Sequence, residues 1–135
     1  MTPDDATRFL QRADPAMLGV VSTLLPDGSP HQVPVWYRWD GERVHIWTHD
    51  ERLWVRNLLR DPRVSFSVQE PGPPFGAVIM RGRADVEYDD PGEIRRITER
   101  YIEADQVEAY VADWPHLRTI VRIRPERLRS WARGY

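Results

Sequence analysis

Cysteine is absent from the 135 residues, which excludes disulfides, thiolate metal ligands and thiolate nucleophiles. Lysine is absent too, so all 19 basic side chains are arginines, and their positions carry more information than their type. No apolar run approaches the roughly 18 residues needed to cross a bilayer as a helix. The opening stretch MTPDDATRFLQRADP also lacks the basic-then-apolar layout of a secretory signal. The expectation is a cytoplasmic protein with no membrane partner. A strong positive balance is missing as well: a net charge of −2 argues against a general nucleic-acid binder, which shows a basic face. Motifs of self-contained catalysis are lacking, whether a Gly-x-Ser-x-Gly nucleophile turn, a phosphate loop, a dinucleotide-binding glycine pattern or a Cys-His pair.

What is present is globular: 41% of the residues are hydrophobic and 10% aromatic, in a length that suits a single domain over residues 1–135. Thr2-Pro3-Asp4-Asp5 reads as a helix start, with a hydroxyl cap, proline in the first turn and acids at the positive helix end, and the helix should run to about Ala13. AMLGVVSTLL then reads as a buried strand, the Pro-Asp-Gly turn as a hairpin, and HQVPVWYRW as its partner. Pro34 cannot donate to a ladder, which places that partner strand at a sheet edge or leaves it locally unpaired. Asp40-Gly41 turns the chain into RVHIWT. Further on, RVSFSVQE and AVIMRGRADVEY alternate as strands, the second with Gly82 where a bulge fits. Asp90-Pro91-Gly92-Glu93 repeats the helix-start chemistry and opens an amphipathic helix with Ile94, Ile97 and Tyr101 on one face. DQVEAYVADWP reads as a second helical piece, and LRTIVRIRPERLRSW closes the sheet. Six strands joined mostly by hairpin-length turns predict a mainly β, antiparallel sheet that curls into a small barrel with flanking helices.

The four histidines are scattered; His45 and His49 have a spacing that suits a metal on a helix, but His45 falls on a predicted strand, so hydrogen-bonded histidines and no metal site are expected. The acid pairs Asp4-Asp5 and Asp89-Asp90 fall where helix caps want negative charge. The stretch THDERLWVRNLLRDPRVSFSV is more informative. Thr48 and Glu51 stand in capping-box spacing, predicting a helix from about Asp50 to Asp61-Pro62. Arg52 and Arg56 lie one turn apart near that helix start, where they either clamp an anion such as a phosphate or pair with Asp50, Glu51 and Asp61 on a solvated surface.

The stretches GVVSTLLPDGSPHQVPVWYRWDGERVHIWT, RNLLRDPRVSFSV, MRGRADV and IVRIRPERLRSW together resemble the pyridoxamine 5'-phosphate oxidase-like split β-barrel flavoproteins, and more narrowly the short proteins that use the deazaflavin coenzyme F-420. The resemblance runs from Leu18 to Trp131 and implies a homodimer with a flavin-type cofactor in each cleft between two barrels. By position, Val33, Pro34, Val35 and Trp36 would line the cofactor ring. Thr48, Arg52 and position 54 would hold its phosphate, with Arg56 and Asn57 assisting or bracing. Phe75 to Ala77 and the end near Trp131 would reach the cleft from the other subunit. The family frequently has lysine where this chain has Trp54, so Arg52 or Arg56 supplies the missing charge, Trp54 turns inward as core, or the site binds the cofactor weakly or prefers another one. The activity implied is hydride transfer from reduced F-420 to a small organic molecule; FMN chemistry on the same fold and a non-catalytic carrier of a planar ligand are the alternatives. F-420 carries an acidic tail beyond its phosphate, for which Arg56, Arg60, Arg81 and Arg83 are candidate contacts, whereas FMN needs none.

Overall fold

The structure, a computed structural model, describes residues 1–116 and 118–134. Helix α1 (Pro3–Leu10) starts as its sequence dictates: Thr2 Oγ1 accepts from the Asp5 amide at 3.1 Å, and an Asp5 oxygen accepts from the Thr2 amide at the same distance. It ends earlier than Ala13, which instead bridges to Ala16.

Seven strands form one antiparallel sheet: β1 (Gly19–Leu24), β2 (Pro30–Val35), β3 (Arg38–Trp39), β4 (Val44–Thr48), β5 (Arg63–Gln69), β6 (Ala77–Tyr88) and β7 (Thr119–Trp131), in the order β2-β1-β5-β6-β7-β4-β3. The count is seven rather than six because the segment expected as one strand, His31 to Trp39, breaks at Trp36 and Tyr37. Its first half pairs with β1 and its second with β4. These halves occupy opposite ends of the sheet, yet only two residues separate them. Three Cα steps of about 3.8 Å span at most about 11 Å, so the sheet must curl until its ends meet. The backbone groups freed at the break find other partners: the Tyr37 amide donates to Tyr101 Oη at 3.2 Å, and the Tyr37 carbonyl accepts from Arg100. Tyr37 itself is buried, its hydroxyl donating to the Leu10 carbonyl at 2.7 Å.

Pro34 lies on the edge strand β2, where no outward ladder bond is asked of it. Gly82 marks the expected irregularity: register shifts between Arg81 and Gly82, and a Cβ on Gly82 would stand 2.0 Å from the Arg124 carbonyl oxygen. With Glu126 as the extra residue opposite, β7 passes through Pro125 and continues to Trp131. The barrel interior is filled by Val21, Val64, Phe66, Val68, Met80, Val121 and Ile123, closed off by Phe9, Leu10, Trp39, Trp54 and Leu58.

Helix α2 (Leu53–Arg60) corrects one expectation. It begins three residues later than Asp50, and the Thr48-Glu51 capping box does not form. Thr48 is the last residue of β4, buried opposite Thr119 on β7, so the ladder takes the residue the local pattern assigned to the cap. Arg52 is the N-cap, in extended conformation and without a side-chain cap bond.

Helix α3 (Pro91–Thr98) is capped by Asp90, which accepts from the Glu93 amide at 3.1 Å, and buries Ile94 and Ile97 as their spacing requires. After a 3-10 turn (Ala104–Gln106), α4 (Val107–Ala112) completes a helical hairpin against the outside of β4. A buried ionic network fastens this hairpin. Arg38 donates two bonds to Glu93, at 2.7 and 2.8 Å; Arg122 donates to Glu93 at 3.1 Å, to His45 Nδ1 at 2.7 Å, to Asp90 at 2.7 Å and to Glu87. His45 Nε2 donates to Asp40 at 2.7 Å. A histidine that accepts at Nδ1 and donates at Nε2 is neutral.

Burial pushes His45 below its ordinary value of 6.5, more than Asp40 and Glu93 can offset. Burial works to raise the Asp40 carboxyl, but bonds from the Arg43 amide and His45 prevail and hold it at about 2. The unfolded chain therefore takes up a proton on His45 at a higher pH than the folded chain does. Stability from this site is complete above about pH 6.5 and declines as pH falls below it, with the carboxylates adding to the loss at lower pH. Melting followed between pH 8 and 5 should show a falling Tm, and His45→Gln should flatten that slope; an unchanged slope would remove His45 from the explanation.

Candidate functional site

A cleft of about 280 Å³ opens at the barrel mouth where β2, β4, α2 and α4 meet. Val33, Pro34, Val35 and Trp36 form one side, at the end of the edge strand. Trp47 and Thr48 come from the end of β4, Arg52 and Trp54 from the start of α2, and Tyr110 from α4. Larger depressions of about 550 and 940 Å³ lie along the outer faces of β5, β6 and β7, lined by Arg81, Glu126 and Arg127 among others. A cavity of about 470 Å³ also joins an edge strand to a helix start, at Trp39 on β3 and Thr2-Pro3 of α1; the smaller cleft differs in gathering Trp36, Trp47, Trp54 and Tyr110 beside an arginine.

Arg52 is the one charged side chain lining the cleft among the described residues. Among the described residues its guanidinium has no ion-pair or hydrogen-bond partner, and the first turn of α2 beside it receives no side-chain cap. The Val55 amide donates to the Arg52 carbonyl at 3.1 Å, which leaves the Leu53 and Trp54 amides, the positive helix end and the Arg52 guanidinium as the groups that could hold an anion. The alternative of pairing with nearby acids is taken up by another arginine: Arg63 binds Asp61 at 2.7 Å.

Seven of the residues expected at the site come together here: Val33, Pro34, Val35, Trp36, Thr48, Arg52 and Trp54. Trp54 is 4% exposed and packs in the barrel core with Val55 and Leu58, so it forms the cleft floor and offers no charge. Arg56 stands exposed one turn along α2, outside the lining. Asn57 is buried, donating to Thr23 Oγ1 at 3.1 Å and accepting from Arg60, so its role is to brace α2 on β1. Arg60 donates to the Leu24 carbonyl. Phe75, Ala77 and Trp131 form a separate patch: Ala77 lies opposite Trp131 in the β6–β7 ladder, and Phe75 precedes them with φ 63°. None of the three lines the cleft of its own chain.

Trp47 and Tyr110 were not expected. Trp36 stacks on Tyr101, with centroids 4.8 Å apart, and on Tyr110 at 5.3 Å; Trp47 meets Tyr110 edge-on at 6.4 Å. Nothing in the periodicity of DQVEAYVADWP connects Tyr110 to a tryptophan 74 positions earlier. Among the described residues no three metal-ligating side chains converge, and no helix is long and apolar enough to cross a membrane.

Comparisons with known proteins follow the same lines. The sequence model of the family described as pyridoxamine 5'-phosphate oxidase matches residues 3–132. Among solved structures, a conserved hypothetical protein from Mycobacterium tuberculosis is 30% identical, with TM-score 0.79, covering 97% of this chain and 84% of that one. An F-420 reductase is 26% identical, with TM-score 0.68, covering 89% of this chain and 92% of its own. A heme-binding protein from Mycobacterium smegmatis, 22% identical with TM-score 0.69, covers all of this chain and 55% of its own, a likeness of fold alone. Curated proteins give no significant match.

Proposed function

Because the chain belongs to the pyridoxamine 5'-phosphate oxidase family, we propose that its cleft is one subunit's share of a flavin-type cofactor site, and that the protein is an oxidoreductase using deazaflavin F-420. The observation that carries this reading is Arg52, unpaired among the described residues, at the start of α2 without a side-chain cap and beside the open edge of β2. The residues present fit such a group. Arg52, the Leu53 and Trp54 amides and the Thr48 hydroxyl would hold a phosphate, while the outer backbone edge of β2 at Val33 to Val35, with Trp36 just beyond the strand, would meet the polar rim of a flavin-like ring. The bound cofactor would supply hydride transfer, and the protein's share is orientation and exclusion of water. A volume of about 280 Å³ is slightly below the usual range for small-molecule sites, about 300–1,000 Å³. A second copy presenting its Phe75–Ala77 and Trp131 patch would complete the enclosure, which makes the working unit a homodimer.

F-420 is favoured over FMN by the 26% identity to an F-420 reductase across most of both chains, and by Arg56, which is exposed one turn beyond Arg52 and unpaired among the described residues. Arg60 is held at Leu24, and Arg81 and Arg83 stand on the outer sheet face, so a tail contact falls to Arg56. Equilibrium titration with F-420 and FMN in parallel tests the reading. F-420 should bind more tightly, and Arg52→Ala should weaken it about 10- to 100-fold, the loss of a charge-assisted bond. Binding as tight as wild type in Arg52→Ala, or none in the wild type, would overturn the site. Tight binding with no turnover of any acceptor would make the protein a carrier.

A further inference from the structure

We propose that the Tyr101 hydroxyl is a wedge in the β1–β2 ladder that sets where Trp36 meets the cleft, which makes Tyr101 a positioning residue for the cofactor ring. The proposal rests on the cofactor reading above and adds a residue outside the cleft. The β1–β2 ladder stops at its Gly19-Val35 rung. Two steps further in the same register Met17 would oppose Tyr37, and Tyr101 Oη stands between them: it accepts from the Tyr37 amide at 3.2 Å and donates to the Met17 carbonyl at 2.8 Å. The Tyr37 carbonyl lies 3.4 Å from that hydroxyl and accepts from Arg100. A rung that the two strands could have formed directly is made through one inserted oxygen atom, and the chain leaves β2 at Trp36. Burial raises the Tyr101 hydroxyl above its ordinary value of 10, so it keeps its hydrogen through the neutral range and the bridge stands.

The same side chain fixes the indole. The Tyr101 ring stacks on Trp36 with centroids 4.8 Å apart and planes 9° from parallel, and Tyr110 takes the other face at 5.3 Å. With both faces covered, Trp36 offers the cleft only its edge and its backbone. A water molecule would satisfy Met17 and Tyr37 equally well but would leave the indole free to turn. A tyrosine couples the two, so the exit of the backbone and the orientation of the ring are set together. Tyr101 is itself held from behind, its amide donating to the Thr98 carbonyl at 3.0 Å in the turn that follows α3. It is absent from the cleft lining, so its effect on a ligand passes through Trp36. Small displacements of this wall matter because, on the cofactor reading, the ring meets β2 through backbone hydrogen bonds, which weaken steeply as distance and angle depart from ideal.

The test is Tyr101→Phe in the full chain, which removes the hydroxyl and keeps the stacked ring. F-420, or FMN if that is what the wild type binds, should bind about 3- to 10-fold more weakly, the worth of one hydrogen bond. The visible difference spectrum of the bound cofactor, which reports the surroundings of its ring, should change as well. In the protein without cofactor, hydrogen exchange should quicken at the amides of Val35 to Arg38 and stay as in wild type in β5 and β6. A wild-type affinity or a wild-type spectrum would overturn the proposal, and so would exchange that is unchanged or quickened throughout the sheet, the second being the sign of a residue that serves stability alone. If the wild type binds neither cofactor, the cofactor reading fails, and the exchange pattern decides the wedge: quickening confined to residues 35–38 upholds it, and none overturns it.

Discussion

Glu93→Ala is expected to cost about 3–5 kcal/mol of stability, the loss typical of removing one partner from a buried ion pair. For a chain of this length that is a fall in Tm of about 10–20 °C, measurable by thermal unfolding. Glu93 is 1% exposed and holds both Arg38 and Arg122, the latter with only 9% of its side chain exposed. Burial works to raise its carboxyl, but the bonds from Arg38 and the surrounding positive charge hold it ionised, below its ordinary range. Without it, Arg38 loses both of its carboxylate bonds and Arg122, which keeps Asp90 and Glu87, loses one, at a position whose 1% exposure leaves little room for water to replace the carboxylate. The effect should also reach the cleft. The network ties the start of α3 to β3, β4 and β7, and α4, which follows through the 3-10 turn, carries Tyr110. Glu93→Gln, which keeps shape and one acceptor, should lose less. A loss below about 1 kcal/mol in Glu93→Ala would mean that α3 is held by Ile94 and Ile97 alone.

Trp54→Lys is expected to destabilise the protein by about 3–5 kcal/mol, the range for emptying a large aromatic site in a core, without tightening cofactor binding. This is the substitution that the family resemblance suggests as a repair. The structure points the other way, because the indole at 4% exposure packs with the residues that anchor α2, Val55 and Leu58. A lysine there would leave a void and would have to extend its ammonium into the cleft. Trp54→Phe should cost less, since it retains most of the packing volume. Denaturant unfolding measures the stability change, and cofactor titration the binding. A Trp54→Lys protein as stable as wild type and tighter for F-420 would show position 54 to be a ligand contact instead of core.

How far each feature could be read from the sequence follows the distance over which its cause acts. The caps at Thr2 and Asp90 and the Gly82 irregularity were legible because a few adjacent residues decide them. The start of α2 was not, because Thr48 has two uses, a cap for residues just after it and a rung opposite Thr119, and only the closed sheet makes the second available. The break at Trp36-Tyr37 was hidden for a similar reason: alternation continues through it, and the partners of its backbone, Tyr101 and Arg100, lie more than 60 positions on. Of the site, the backbone side and Arg52 were readable by position. The aromatic wall was not, since it depends on how the α3–α4 hairpin is fastened. That fastening is the work of Arg38, His45, Glu93 and Arg122, which no short-range pattern joins.

The place of β7 between β6 and β4 also sets a timetable for biosynthesis. Every other strand leaves the ribosome before it, so the nascent chain holds β2-β1-β5-β6 and β4-β3 as two pieces that have no rung in common. The first waits with the twelve residues of β6 as an unpaired edge and the second with the five of β4, edges of the kind that invite pairing with a neighbouring chain. Residues 119–131 fill both edges at once, so synthesis halted just before them leaves a sticky intermediate that must be shielded until the last strand arrives.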